Sequence, residues 1–256
     1  MAFVPDYRTY APGAAADSAA LDVGLRAYML RVYNWMTSGL LLTGIVSYGV
    51  ANTSLYGLFF QRITTQRGTY ESPTMLGYAA IFAPLVFTLV LSFGVNRLSR
   101  TAVQALFWAF AATMGASLAS IFHVYVPGSI AQVFFITAGT FAGISIYGYT
   151  TKRDLTGMGS FLIMGLIGII IASIVNMFLQ SGMMQFAISV IGVLIFVGLT
   201  AYDTQRIKGD YIQYAYAEGS DGAKVRSVYD ALSLYLNFIN LFMLLLQLFG
   251  NRTSNN

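Results

Sequence analysis

The chain of 256 residues contains no cysteine and one histidine, and only 9% of its residues are charged. Without cysteine it has no disulfide, no thiol nucleophile and no thiolate metal ligand. A zinc protease of the HExxH type needs two histidines one helical turn apart, and His123 stands alone. The sequence also has no GxxxxGK(S/T) phosphate loop and no glycine-rich dinucleotide turn. We therefore expect the protein not to be an enzyme and to hold no cofactor.

The composition indicates an integral membrane protein. Hydrophobic residues make up 57% of the chain and the mean hydropathy is +0.66, whereas about 25% of a typical soluble domain is charged. The formal net charge is +4, but the lysines and arginines are scattered between apolar runs instead of gathered on one face. This distribution argues against nucleic acid and leaves the lipid bilayer as the expected partner.

Seven apolar stretches reach the length of about 20 residues that a membrane-spanning helix needs. They occupy residues 32–52, 75–96, 102–126, 129–150, 156–179, 183–205 and 228–249. Their short linkers favour one compact all-α bundle, with a membrane domain over residues 28–250. Residues 1–27 lack the basic start and continuous apolar core of a secretory signal, and we interpret them as a flexible cytoplasmic tail. Residues 251–256 form a short C-terminal tail.

Lysine and arginine lie mainly in alternate loops. In a seven-helix arrangement, eleven lie on the side of the N-terminus, namely Arg8, Arg26, Arg31, Arg97, Arg100, Lys152, Arg153, Arg206, Lys208, Lys224 and Arg226, and three lie opposite, namely Arg62, Arg67 and Arg252. By the positive-inside rule the N-terminus is cytoplasmic and the C-terminus lies across the membrane. The alternative is six spans and a re-entrant seventh segment, which returns the C-terminus to the cytoplasm, and Arg252 alone does not exclude it.

Ionisable residues inside a span are costly unless paired or hydrated, and they are therefore functional candidates. Asp203, in FVGLTAYDTQRIK, is the clearest one. Its alternative interpretation is a side chain that reaches the cytoplasmic interface near Arg206 and has no function. Two amides, Asn237 and Asn240, interrupt the apolar segment LSLYLNFINLFMLLLQLFG. From the residues alone, we interpret them as hydrogen-bonding groups between helices.

Several segments resemble the signature regions of the Bax inhibitor family, in its bacterial form. They are GLTAYDTQRIK at 198–208, YLNFINLFMLLLQLFG at 235–250, YGYTTKRDLTGMGSFLIMGL at 147–166 and, for the first helix, MLRVYNWMTSGLLLTG at 29–44. The resemblance implies a seven-helix bundle with the last helix at its centre. It implies a pH-sensitive leak channel whose transported ion is calcium, in the inner (plasma) membrane or, alternatively, in an organelle membrane. The alternative function is a non-conducting regulator that binds other membrane proteins, such as a membrane-anchored protease.

The resemblance also assigns a site. The family's pH sensor is a pair of aspartates, of which the first is Asp203 and the second is replaced here by Asn237. Two close carboxylates share a proton and titrate together, whereas an amide does not titrate but can donate to a carboxylate. Calcium prefers several oxygen ligands, so the loss of one carboxylate is expected to weaken a cation site at Asp203. No other metal site is assigned.

Two further residues are candidates for the same site. Asp230 precedes Asn237 by seven residues, which places it on the same helix face, about 10 Å nearer the cytoplasm. Its alternative interpretation is an acid in the first turn of a helix, where the helix dipole favours it. The resemblance makes Arg97 the best cation to latch Asp203, and the alternative for Arg97 is a positive-inside anchor. An intramembrane aspartyl protease is disfavoured, because it needs two aspartates and a GxGD motif that this sequence lacks.

Overall fold

The computed structural model describes residues 11–65, 68–94, 98–214 and 219–253. Helices make up nearly all of this part of the chain, and one antiparallel β-hairpin connects two of them. In chain order the elements are α1 (Ala11–Ala51), α2 (Tyr56–Phe59), β1 (Phe60–Thr65), β2 (Gly68–Pro73), α3 (Met75–Gly94), α4 (Arg100–Leu118), α5 (Ile121–Val124), α6 (Pro127–Thr150), α7 (Thr156–Leu179), α8 (Gly182–Tyr214) and α9 (Gly219–Phe249).

Five segments of the described chain are long and apolar enough to cross a membrane. They are Arg100–Val124, Pro127–Thr150, Thr156–Leu179, Gly182–Gln213 and Gly222–Phe249. These segments confirm an all-α membrane protein. Helix α3 contributes only a shorter apolar stretch, Met75–Leu91, and α1 includes charged residues such as Arg26 and Arg31. Length and apolarity alone therefore support five spans and not the seven predicted.

The first helix is longer than predicted. Helix α1 begins at Ala11, within the segment 1–27 that the sequence analysis assigns to a flexible tail. Residues 11–20 are rich in alanine, which has the highest helix propensity of all residues. Leu25 is only 4% exposed, so the packed domain begins before residue 28. Helix α1 thus extends into the segment that the sequence analysis interprets as a tail.

A β-hairpin lies between α2 and α3, where the sequence analysis predicts no strand. Its strands pair with Arg62 opposite Glu71, and these two side chains form an ion pair of 3.7 Å. The Tyr56 hydroxyl donates to a carboxylate oxygen of Glu71 at 2.5 Å. Burial, together with this bond, raises the pKa of Tyr56. The hydroxyl therefore stays protonated and ties α2 to the second strand.

The connections between the helices gather at two ends of the bundle. At one end, His123 Nε2 lies 3.2 Å from the carbonyl oxygen of Ala51. At the other end, Gln205 Oε1 accepts a hydrogen bond of 2.8 Å from the backbone N–H of Leu155. We call these the hairpin end, formed by residues 51–65, 68–75, 119–127 and 250–253, and the basic end, formed by residues 150–156, 203–214 and 219–230.

The last described residues, up to Thr253, lie at the hairpin end. The backbone N–H of Val126 donates to the carbonyl of Asn251 at 2.9 Å, and that of Thr253 donates to Val124 at 3.0 Å. Helix α9 is continuous from the basic end to this point. A continuous α9 favours a spanning final segment over the re-entrant alternative.

Helix α9 lies at the centre of the bundle, where it contacts α1, α4, α6 and α8. Inside the protein, 56% of its most apolar stretch is buried, against 11–39% for the other four spanning segments. Tyr235 of α9 is fully buried. Its hydroxyl lies 2.7 Å from Thr43 Oγ1, which lies 2.9 Å from the carbonyl oxygen of Ala111. This chain of hydrogen bonds joins α9 to α1 and α4, in the arrangement that the family resemblance implies.

Helices α6 and α8 approach closely near the basic end. A Cβ on Gly148 would collide with the backbone carbonyl of Ala201. Because only glycine leaves room for this contact, Gly148 helps to set the position of α8 two residues before Asp203.

Candidate functional site

Asp203 lies on α8 near the basic end, inside a segment long enough to span a membrane. Its side chain is 15% exposed. The neighbouring hydroxyls of Thr200 and Thr204 donate to backbone carbonyls one helical turn back, at 2.7 and 2.8 Å. Because these hydroxyls donate to backbone carbonyls of α8, they do not donate to the carboxylate of Asp203.

One partner is Asn237 on the central helix. Its Nδ2 donates to Asp203 Oδ2 at 2.7 Å, and the Asn237 side chain is buried. A hydrogen bond to an ionised carboxylate is shorter and stronger than one between neutral groups. The structure thus brings together the two positions that the family resemblance pairs, and it orients the amide as a donor.

The other partner is Arg206, one turn further along α8. Its Nη2 lies 3.0 Å from Asp203 Oδ1, so each carboxylate oxygen has its own partner. The spacing of three residues puts both side chains on one helix face and is the sequence signal for this pair. The sequence analysis instead favours Arg97 as the latch, and Arg97 lies outside the described residues.

Asp230 has a separate partner on α1. The Tyr28 hydroxyl donates to Asp230 Oδ2 at 2.5 Å, and both side chains are buried. The Tyr28 ring packs on that of Tyr211, with centroids 4.8 Å apart. Since α9 begins at Gly219, Asp230 is not in the first turn of its helix, and that alternative interpretation is wrong. The sequence analysis does not find Tyr28, because no local pattern relates it to a residue 202 positions away.

Arg206 connects the two acids electrostatically. It pairs with Asp203 directly and also lies within electrostatic range of Asp230, as do Arg226 and Asp210. The Nε of Arg206 is buried and has no hydrogen-bond partner among the described residues. We call the group formed by Tyr28, Asp203, Arg206, Asp230 and Asn237 the acid cluster. It joins α1, α8 and α9 through two buried carboxylates, one of which pairs with Arg206.

The acid cluster is poor in metal ligands. Across the described residues, no three side chains of His, Cys, Asp or Glu are grouped closely enough to hold a metal ion. Calcium takes about six to eight oxygen ligands, and the cluster offers two carboxylates and one amide oxygen. The described cluster therefore offers fewer oxygen ligands than a calcium ion usually takes.

A second polar network, near the hairpin end, contains no charge. Gln185 Nε2 donates to Gln247 Oε1 at 2.8 Å, and Ser189 Oγ donates to the same oxygen at 3.0 Å. Asn176 Nδ2 donates to Gln185 Oε1 at 3.2 Å. The network joins α7, α8 and α9, and the sequence analysis misses it. The Asn240 side chain is exposed and has no hydrogen-bond partner among the described residues, so its predicted role between helices is wrong.

Comparison with known proteins gives consistent matches along the chain. Residues 25–254 match the family model described as Inhibitor of apoptosis-promoting Bax1. The chain is 46% identical over 231 residues to Inner membrane protein YbhL of Escherichia coli K12, covering 90% of this chain and 93% of the relative. It is 46% identical over 248 residues to a protein of Caulobacter vibrioides, with 95% and 96% covered. It is 45% identical over 234 residues to protein RP147 of Rickettsia prowazekii, with 90% and 92% covered.

Proposed function

Because the chain belongs to the Bax inhibitor family of membrane proteins, we propose that it is a pH-sensitive cation leak channel gated at Asp203. Calcium is the proposed ion, and no cofactor or enzymatic step is involved. The proposed location is the inner membrane, as the name of the Escherichia coli relative suggests. In this proposal α1 and α3 join the five apolar segments to make seven spans. The basic end, with the N-terminus, faces the cytoplasm by the positive-inside rule.

The observation that carries the proposal is that the Asp203 carboxylate is held from two sides. Asn237 donates to one oxygen from α9, and Arg206 pairs with the other from α8. Protonation removes the charge that attracts Arg206, and it replaces the charge-assisted hydrogen bond from Asn237 with a weaker neutral one. A proton at this position therefore weakens the polar contact between the central helix and α8.

Arg206 provides the link from protonation to conduction. When Asp203 is ionised, Arg206 is retained beside its carboxylate and opposes a cation at the same position. When Asp203 is protonated, Arg206 loses its pairing charge and can turn to solvent, since its side chain is already 37% exposed. We therefore expect flux to rise as the pH falls.

The test is calcium flux through the full-length protein in liposomes that contain a calcium-sensitive dye, measured over a pH series. Asp203→Asn keeps the shape of the side chain but cannot ionise, so we expect flux that no longer responds to pH. The matched control is Asp154→Asn, since Asp154 is a fully exposed acid in the loop at the same end. Flux equal to that of empty liposomes at every pH would contradict the proposal.

A second candidate function is a non-conducting regulator that binds other membrane proteins, such as a membrane-anchored protease. The observation that favours it is the amide at position 237, because Asn237 cannot supply the second titrating proton of a carboxylate pair. Affinity purification in mild detergent should then recover a defined membrane protein in constant ratio. Recovery of no partner, with flux present in liposomes, would rule against this candidate.

A further inference from the structure

A long groove runs along the side of the bundle between α1 and α6. Its volume is 1120 Å³, above the roughly 300–1,000 Å³ of an ordinary ligand pocket. Its lining on α1 extends from Arg26 to Tyr48, which is ~33 Å at ~1.5 Å per residue. This length is close to the ~30 Å thickness of the hydrocarbon core of a bilayer. Phe238 of the central helix also lines the groove, so the groove reaches the middle of the bundle.

The groove wall is mostly apolar, and its hydroxyl groups belong to Thr37, Ser145 and the tyrosines Tyr33, Tyr48 and Tyr149. Ser145 of α6 lines the groove and is only 5% exposed, and its Oγ has no hydrogen-bond partner among the described residues. A buried hydroxyl without a partner costs free energy, and most such groups are paired. The position of Ser145 on the wall therefore indicates an occupant that carries a hydrogen-bond acceptor.

Positive charge marks the basic end of the same groove. Arg26 lines it, is exposed and has no ion-pair partner in the described part of the chain. Lys208 donates to the carbonyl of Tyr149, another lining residue, at 2.9 Å and lies 4.9 Å from the centre of its ring. Ser145 lies one helical turn, about 6 Å, further into the bundle than Tyr149. From the basic end inward, the groove thus presents a cation, then a hydroxyl donor and then a long apolar wall.

We propose that this groove binds one anionic phospholipid. The phosphate faces Arg26 and Lys208, an ester carbonyl accepts the hydrogen bond of Ser145, and an acyl chain lies along the wall between α1 and α6. A transmembrane helix fits these features less well, because its backbone hydrogen bonds are already satisfied within the helix. The proposal does not depend on whether the protein conducts ions.

The first test measures lipid binding directly. The full-length protein, delipidated in maltoside detergent, is titrated with dioleoylphosphatidylglycerol or dioleoylphosphatidylcholine and observed by native mass spectrometry. We expect one phosphatidylglycerol per chain, bound more tightly than phosphatidylcholine. Arg26→Gln should weaken the binding of phosphatidylglycerol about fivefold. This factor corresponds to roughly 1 kcal/mol for one cation near a phosphate. Ser145→Ala should weaken the binding of both lipids, because both carry ester carbonyls.

The second test fills the groove. Gly44 lines it, and a Cβ at this position meets no atom within 4 Å. Gly44→Leu should therefore abolish the binding of both lipids while the protein stays folded in a thermal melt. Gly143→Leu is the matched control, since a Cβ there also meets nothing within 4 Å but Gly143 is not part of the groove lining.

Two results would overturn the proposal. One is equal lipid binding by Gly44→Leu and the Gly143→Leu control. The other is a membrane protein that copurifies in constant ratio and is released by Gly44→Leu, because the groove would then be a docking site for a transmembrane helix.

Discussion

The contact between Asp203 and Asn237 makes a direct prediction about the substitution Asn237→Asp. In the present structure the amide Nδ2 lies 2.7 Å from Asp203 Oδ2. The substitution keeps the size of the side chain and replaces this donor with a second carboxylate. Two carboxylates at such a distance cannot both be ionised without strong repulsion, so they are expected to share one proton. The variant should thus titrate as a coupled pair where the original protein has one acid.

The size of the effect follows from Coulomb's law. If the two side chains relax to ~4 Å, two unit charges repel by about 4 kcal/mol at an effective dielectric constant of ~20. Because one pH unit corresponds to about 1.4 kcal/mol, the two protonation steps should be separated by ~3 pH units. The pair therefore holds a single proton over an interval of about that width.

The assay combines infrared spectroscopy with calcium flux in liposomes over a pH series. Asn237→Asp should show a protonated carboxyl band through that interval and a flux profile with two steps. Asn240→Asp is the control, because it adds an acid to the same helix at an exposed position that has no hydrogen bond to Asp203. A single-step profile without the carboxyl band would refute the reasoning, since it would mean that residue 237 does not face Asp203 in the membrane.

Two further predictions concern stability, measured as thermal unfolding in detergent. Tyr28→Phe removes the donor to the buried Asp230 and should lower the free energy of unfolding by ~1–3 kcal/mol. The control Tyr33→Phe should change it little. Equal melting temperatures of the two variants would contradict this prediction. Gly148→Ala forces a Cβ against the backbone of α8 and should destabilise by ~1–3 kcal/mol. Gly143→Ala, where a Cβ meets nothing within 4 Å, should be neutral, and a neutral Gly148→Ala would argue against close approach of α6 and α8.

The sequence by itself determined the class of protein and the position of its main acid. Long apolar runs separated by short loops admit few solutions other than a helical bundle in a membrane, because backbone polar groups in lipid must be satisfied within helices. An acid in such a run is conspicuous, so Asp203 could be found without a structure. The motifs around Asp203 and Asn237 were sufficient to pair these two residues. The helix boundaries were predicted less accurately. Helix α1 begins well before its apolar part, because alanine favours a helix.

Only the tertiary structure decided which group meets Asp230. Arg206 is the described cation paired with Asp203, and Tyr28 reaches Asp230 across 202 positions of the chain. The pair of Asp203 and Arg206 follows from their spacing of three residues on α8. The contact between Tyr28 and Asp230 depends instead on how α1 and α9 are rotated and packed against each other, and no local periodicity contains that information. The same holds for the groove between α1 and α6, since it arises from two helices that pack against α9 and leave a space between them.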